Sequence, residues 1–251
     1  MATVLIPLPN RDFDPTETGV PWRELSRRGH RVHFATPLGN VAYADPRMVH
    51  GTGLGPLRGL LQADKNGQEA YRAMLSDPMF NAPWSYQQAA DQTVDALLLP
   101  GGHAPGMREY LESETLQSIV SASFARNIPV AAICHGTVLA ARSKTPNGAC
   151  VLYGRKTTAL TRTLELTAWA LTVAWLGSYY RTYPETVQAE VTRKLANASD
   201  FQTGPLALRR DSPGHPEYGF TVRDGNYLSA RWPGDAHRFA RDFASMLEET
   251  T

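Results

Sequence analysis

At 251 residues, with 42% apolar side chains, the chain is long enough to bury a full core as one large α/β domain or two small ones. Its 25 Lys and Arg stand against 24 Asp and Glu, a net charge of +1, so no overall field draws it to nucleic acid or to a membrane surface. No stretch approaches the ~20 apolar residues that a membrane helix requires. Two cysteines, Cys134 and Cys150, make no disulfide scaffold and suit a reducing compartment, so the cytoplasm is the expected location.

Met1-Ala-Thr-Val-Leu-Ile-Pro lacks the basic start and long apolar run of a signal peptide and reads as a first strand, Thr3 to Leu8. A helix then ends at Gly29. Pro21 restricts its start, because proline is comfortable only in a first helical turn. Either the helix begins near Val20 with Glu17 on the preceding loop, or it begins at Pro15 and bends. In the second case Asp14 caps it and Glu17 is the third residue of an acidic capping box. Arg31 to Thr36 alternates as a second strand. From Pro37 to Tyr86 the rhythm breaks, with many glycines and short helical patterns near Leu57–Leu61 and Gln68–Leu75. An α/β connection needs only a few residues, so residues 37–86 are expected to form an inserted cap over one end of the sheet within a single domain, 1–251.

Asp95 to Leu99 is an apolar strand, followed by Pro100-Gly-Gly-His103-Ala-Pro-Gly106. Paired glycines after a strand turn backbone N–H groups toward a ligand, but the further glycines or Lys-Ser/Thr of a phosphate loop are missing. His103 is either a surface loop residue or a pocket wall. Leu111 to Ala125 reads as a helix. Val130 to Ile133 is a short buried strand, and Cys134-His135-Gly136 leads at once into a small-residue helix. Strand, reactive residue, small residue and helix make a nucleophile elbow, in which glycine stands where a side chain would strike the sheet. The adjacent helix N-terminus is expected to favour the thiolate of Cys134.

Cys150 reads as structural, and Lys156 to Leu160 as a further strand. Leu164, Ala168, Leu171 and Trp175 mark one helix face, with Glu165 in its first turn. Tyr179-Tyr-Arg-Thr-Tyr183 either lines the site or closes a surface joint. Pro184 to Leu195 is a predicted helix, Phe220 to Arg231 a hairpin turning at Asp224-Gly225, and His237 to Leu247 the last helix. Strands alternating with helices predict a three-layer α/β sandwich with a mainly parallel sheet, whose ligands sit at the strands' carboxyl ends. The seven histidines show no paired metal-ligand spacing, and no cofactor is expected.

Ala132-Ile-Cys134-His135-Gly136, preceded by Leu98-Leu-Pro-Gly-Gly-His103, resembles the ThiJ/PfpI superfamily, relatives of class I glutamine amidotransferases. The resemblance implies a flavodoxin-like fold, a nucleophile at Cys134, an acidic partner at Glu17, and an oxyanion hole from the N–H groups of Gly102 and His135. The histidine after the cysteine and the insertion are similar to the glyoxalase III and chaperone-like branch. In that branch a carboxylate near the position of Glu165 orients the histidine. The implied activity is glutathione-independent conversion of methylglyoxal to lactate, or deglycation, with a small carbonyl compound as partner and a homodimer as assembly. An amidase or peptidase of the PfpI type, and a redox sensor or holding chaperone, are the alternatives.

Overall fold

The computed structural model describes residues 1–249. Its first strand, β1 (Thr3–Pro7), is buried from Val4 onward. A short strand β2 (Arg11–Phe13) follows and pairs with a later one to form a two-stranded ribbon beside the main sheet. Helix α1 (Pro15–Arg27) takes the earlier of the two starts left open by Pro21, which now lies inside it. Asp14 decides this. Its Oδ1 accepts the N–H groups of Thr16 at 2.8 Å and Glu17 at 3.0 Å, and Pro15 occupies the first helical position, where no donor is lost.

Strand β3 (Arg31–Thr36) lies parallel to β1, with Val32 opposite Val4. The segment that follows contains β4 (Tyr43–Ala44), α2 (Pro46–His50), α3 (Arg58–Leu61), α4 (Lys65–Met74), α5 (Pro78–Asn81), β5 (Trp84–Ser85) and α6 (Tyr86–Ala90). It does more than cover an end of the sheet. Strand β5 pairs with β3 as an edge strand, and α4 packs along α1.

Strand β6 (Ala96–Leu99) is buried throughout and lies on the other side of β1. The helix expected over Leu111–Ala125 divides into α7 (Met107–Leu111) and α8 (Glu114–Ala125), because the Ser113 hydroxyl accepts the Leu116 N–H and caps a new helix there. Strand β7 (Val130–Ile133) then leads through Cys134 into α9 (Gly136–Arg142).

Lys156–Leu160 is not the predicted strand. The chain is extended there but forms only an isolated bridge from Thr157 to Phe201. The place beside β7 is already taken: strand β9 (Tyr227–Ala230) lies between β7 and its own hairpin partner β8 (Thr221–Asp224), so the 156–160 backbone finds its partners outside the ladder, Thr157 exchanging backbone hydrogen bonds with Asp200 and Gln202. Lys156 N–H donates to Asp224 and Thr158 N–H to the Ser229 hydroxyl. Helix α10 (Arg162–Leu176) forms as expected, α11 (Val187–Thr192) is shorter than the predicted Pro184–Leu195 because Thr186 caps it, and α12 (Ala236–Glu249) closes the fold.

The main sheet runs β5-β3-β1-β6-β7-β9-β8, and only the β8–β9 hairpin is antiparallel. Helices α1, α4 and α12 pack together as one layer, and α6, α8, α9 and α11 as another. This is the expected three-layer α/β sandwich. From β1 the chain runs outward to β3 and returns to β6, so the strand order reverses between β1 and β6. Ligand sites of such sheets open there, at the carboxyl ends.

The turn into α9 tolerates only glycine at its first position. A Cβ on Gly136 would lie 2.1 Å from the Leu99 carbonyl oxygen, and that oxygen belongs to backbone that cannot swing aside. Gly136→Ala should cost at least about 1–3 kcal/mol of stability. Gly59→Ala, at a helical position with open space around it, should be neutral or stabilising by about 0.5–1 kcal/mol. Denaturant midpoints of the two variants check both values.

Candidate active site

Cys134 takes φ of 58°, a conformation that residues with side chains rarely adopt, as it joins β7 to α9 without a connecting loop. This directs its side chain into a cavity of about 240 Å³ at the carboxyl end of the sheet. The thiol is buried, with the residue 3% exposed. Asp14, Glu17, Gly102 and His103 line the same cavity, so the loops after β2, β6 and β7 meet there.

Glu17 does not close a capping box. Its carboxyl turns into the fold, fully buried, and Oε2 accepts the Gly101 N–H at 3.0 Å. Gly101 makes this approach possible: a Cβ there would lie 2.7 Å from Glu17 Oε2 and 2.9 Å from Cys134 Cβ. Burial, and then the neighbouring charge of Asp14, push Glu17 well above its ordinary value of 4.5, which favours its protonated form. With Oε2 held by Gly101, Oε1 is left without a hydrogen-bond partner among the described residues. The group left for it to engage is the Cys134 side chain.

The thiol itself is not lowered, contrary to the expectation from the helix terminus. Burial raises it well above its ordinary value, the charges of Glu17 and Asp14 add to this, and the hydrogen bond from the His135 N–H opposes it too weakly. Helix α9 has only seven residues, and its terminus cannot outweigh desolvation. Two adjacent negative charges are not sustained in so buried a place. A thiolate forms here while Glu17 keeps its proton.

His135 is buried and neutral, its pKa lowered to about 3 first by burial and then by His103 and Arg142. Its Nδ1 lies 3.5 Å from Cys134 Sγ and its Nε2 3.1 Å from Thr182 Oγ1. The Thr182 hydroxyl lies 2.7 Å from the His103 carbonyl oxygen, to which it donates its single proton. It therefore accepts from Nε2–H, leaving Nδ1 unprotonated toward the thiol. Thr182 lies inside the aromatic-rich 179–183 stretch, where a threonine belongs to no motif; nothing in the sequence singled it out.

Glu165 does not orient His135. Its Oε2 accepts the Val187 N–H at 2.9 Å, and its Oε1 lies 3.2 Å from Arg181 Nε. Both oxygens are thus committed to the joint between α10 and α11, although the residue borders the cavity, and burial raises it to about 7. His103 forms cavity wall. Its ring stacks on Tyr180 at 4.3 Å, burial holds its pKa at about 3, and its Nε2 has no partner among the described residues. Of the two N–H groups expected to form an oxyanion hole, Gly102 borders the cavity while that of His135 is directed at the sulfur.

Asp14 was legible only as a cap. It also faces the cavity, and burial raises it to about 6. Of the 179–183 aromatics, Tyr180 faces the cavity, Tyr179 donates to Asp45, and Tyr183 packs with Arg142. Cys150 is structural, with Sγ donating to the Ala141 carbonyl at 3.2 Å. Among the described residues, no three His, Cys, Asp or Glu side chains are placed to hold a metal, and no helix is long and apolar enough to cross a membrane.

A strained cysteine at a strand-to-helix turn, in a mostly parallel α/β sandwich and beside a buried glutamic acid, defines an α/β class with a cysteine at its elbow. The ThiJ/PfpI family-like profile matches residues 8–205, and the chain belongs to that family. It is 26% identical to a glutathione-independent glyoxalase of Schizosaccharomyces pombe, over 59% of this chain and 58% of that protein. It is 27% identical to the deglycase PfpI of Pyrococcus furiosus, over 73% of this chain and 86% of that protein. The chain spans about half the length of the first curated relatives that it matches, 47% and 58%. The fold also matches glyoxalase III from Candida albicans with a TM-score of 0.61, at 19% identity over 97% of this chain and 96% of that one.

The raised Glu17 has a consequence for stability. The folded protein keeps a proton on Glu17 after the unfolded chain has lost it near 4.5, so this contribution is complete below that pH and declines as pH rises. Glu17→Gln lacks the decline. Its stability relative to wild type should therefore be higher at about pH 8 than at about pH 5. Denaturant midpoints at both pH values give the sign.

Proposed function

We propose that the protein is a cysteine-dependent enzyme acting on a small reactive carbonyl compound, converting an α-oxoaldehyde such as methylglyoxal to its 2-hydroxy acid without glutathione. Removal of such carbonyls from their adducts would use the same site. In this reading Cys134 Sγ attacks the aldehyde carbon while its proton passes to His135 Nδ1, and the product is a hemithioacetal. The Gly102 N–H is the backbone donor for the developing oxyanion. The carbon-bound C1 proton is then removed and a proton returned at C2, which turns the hemithioacetal into a 2-hydroxy thioester. Water cleaves the thioester, releasing the hydroxy acid and restoring the thiol. The sum is substrate plus water, with no external oxidant or reductant.

The observation that carries this reading is the buried Glu17 carboxyl beside the elbow, its Oε2 held by the Gly101 N–H and its Oε1 left unpaired among the described residues, with burial favouring the protonated form. Moving a proton between adjacent carbons requires a second proton carrier beside the sulfur, in addition to the base that activates it. The glyoxalase and deglycase relatives support the same class. An amidase needs chiefly a strongly basic, carboxylate-oriented histidine, and the commitment of Glu165 to Val187 and Arg181 weighs against one. A buried thiol with a raised pKa weighs against the redox sensor. The exposed apolar residues Val173 and Trp175 near the end of α10 support holding of unfolded clients as a second role. Trp175→Glu should then weaken suppression of client aggregation without touching turnover.

Lactate formation from methylglyoxal tests the main reading. Wild type should produce lactate and Cys134→Ser should not. Thr182→Val, which keeps the shape but removes the acceptor for Nε2–H, should lose about tenfold in kcat, while Thr182→Ser retains activity. Equal methylglyoxal consumption by Cys134→Ser would overturn the reading.

A further inference from the structure

Resting on the carbonyl reading above, we infer that the preferred substrate bears an uncharged apolar arm of several carbons, alkyl or aryl, and that the cavity beyond Cys134 is built to receive it. The cavity of about 240 Å³ is far larger than the methyl group of methylglyoxal fills. Asp14, Glu17 and His103 line it beside Cys134, with Glu165, Thr167 and Arg210 as its other polar residues. Its apolar walls include Met48 and Leu61 from the 37–86 segment, Leu164, Ala168 and Leu171 from α10, and Trp232 from the loop after β9.

Helix α10 is the telling element. Leu164, Ala168 and Leu171 recur at the spacing of a core-facing stripe, yet none of the three is buried, and Leu171 is 44% exposed. The residues that α10 does bury are Glu165 and Thr172. Leu164 and Ala168 rest partly on the core, and all three residues also border the cavity, so the apolar surface they leave uncovered there gains a partner when an arm enters.

Charge decides against an anionic arm. Arg210 is the one cationic side chain bordering the cavity, and it is already occupied. Its Nη2 donates to the Leu60 carbonyl at 3.0 Å, and its guanidinium lies over Trp232 at 5.4 Å. Asp14 and Glu17 line the same space, and an anion entering it would meet both carboxyls and find no free counter-charge.

The experiment measures kcat/KM of wild type for methylglyoxal, n-butylglyoxal, n-hexylglyoxal and phenylglyoxal, and repeats the series with Ala168→Trp, which fills space at the apolar wall. In wild type kcat/KM should rise about fourfold for each methylene buried, until the cavity is full. Ala168→Trp should reduce the hexyl-to-methyl ratio at least about tenfold. A second measurement needs no turnover: alkylation of Cys134 by N-hexyl iodoacetamide against iodoacetamide, each normalised to its rate with glutathione, should favour the hexyl reagent by about tenfold or more. Methylglyoxal turned over as well as its longer homologues, with no hexyl preference in alkylation, would overturn the inference and leave the carbonyl reading standing. Preferential hexyl alkylation with no oxoaldehyde turned over would support the arm site and defeat the carbonyl reading.

Discussion

Backbone crowding between the turn after β6 and the elbow after β7 is the constraint on which the site depends. The Leu99 carbonyl reaches the place where a Gly136 side chain would begin, and Gly101 lies against Glu17, His135 N and Cys134 Cβ. Because both turns lack side chains at these points, the sulfur, the Glu17 carboxyl and the loop N–H groups share one small volume. Any bulk there would separate them. The strained φ of Cys134 belongs to the same arrangement, since a relaxed residue would carry the sulfur back along the strand.

Crowding of this kind sets the charge state. Glu17, Asp14 and Cys134 are removed from water together; burial raises all three, and Asp14 further opposes ionisation of Glu17 and of Cys134. Burial thus favours a store of protons on Glu17 and the Cys134 thiol. His135, also kept neutral by burial, has one vacant nitrogen toward the thiol, and the hydroxyl of Thr182 decides which nitrogen that is. A reaction that begins with a proton leaving sulfur and ends with one returning suits such a store better than one that needs a standing thiolate.

Much of this was legible in the chain. The elbow, the Gly-Gly turn and the order of strands and helices follow from local patterns: short apolar runs, glycine where backbones meet, and a helix beginning directly after the cysteine. Glu17 stood as an acidic partner only through the family resemblance, because in the local pattern a capping carboxyl and a buried acid look alike until the fold shows which way the side chain turns. Lys156–Leu160 was misread because its apolar and β-branched composition suits a strand, while edge availability depends on a hairpin some 60 residues later. Thr182 and Glu165 illustrate the remaining gap. A hydroxyl fixes a tautomer only through a donor chain that runs to the His103 carbonyl, and a carboxylate at the right helical position is spent elsewhere.

What Glu165 is spent on connects the core of the fold to the cavity. It ties the first turn of α10 to the first turn of α11 and to Arg181, one residue before Thr182. A buried pair of this kind adds little net stability, because desolvation offsets most of the attraction. Its effect is positional. One carboxylate fixes where the apolar wall of α10 begins and where the chain carrying Thr182 passes His135, so the wall of the cavity and the orientation of the His135 ring are set by the same contact. Glu165 thus bears on the histidine after all, through the backbone that presents Thr182 and not through a bond to the ring.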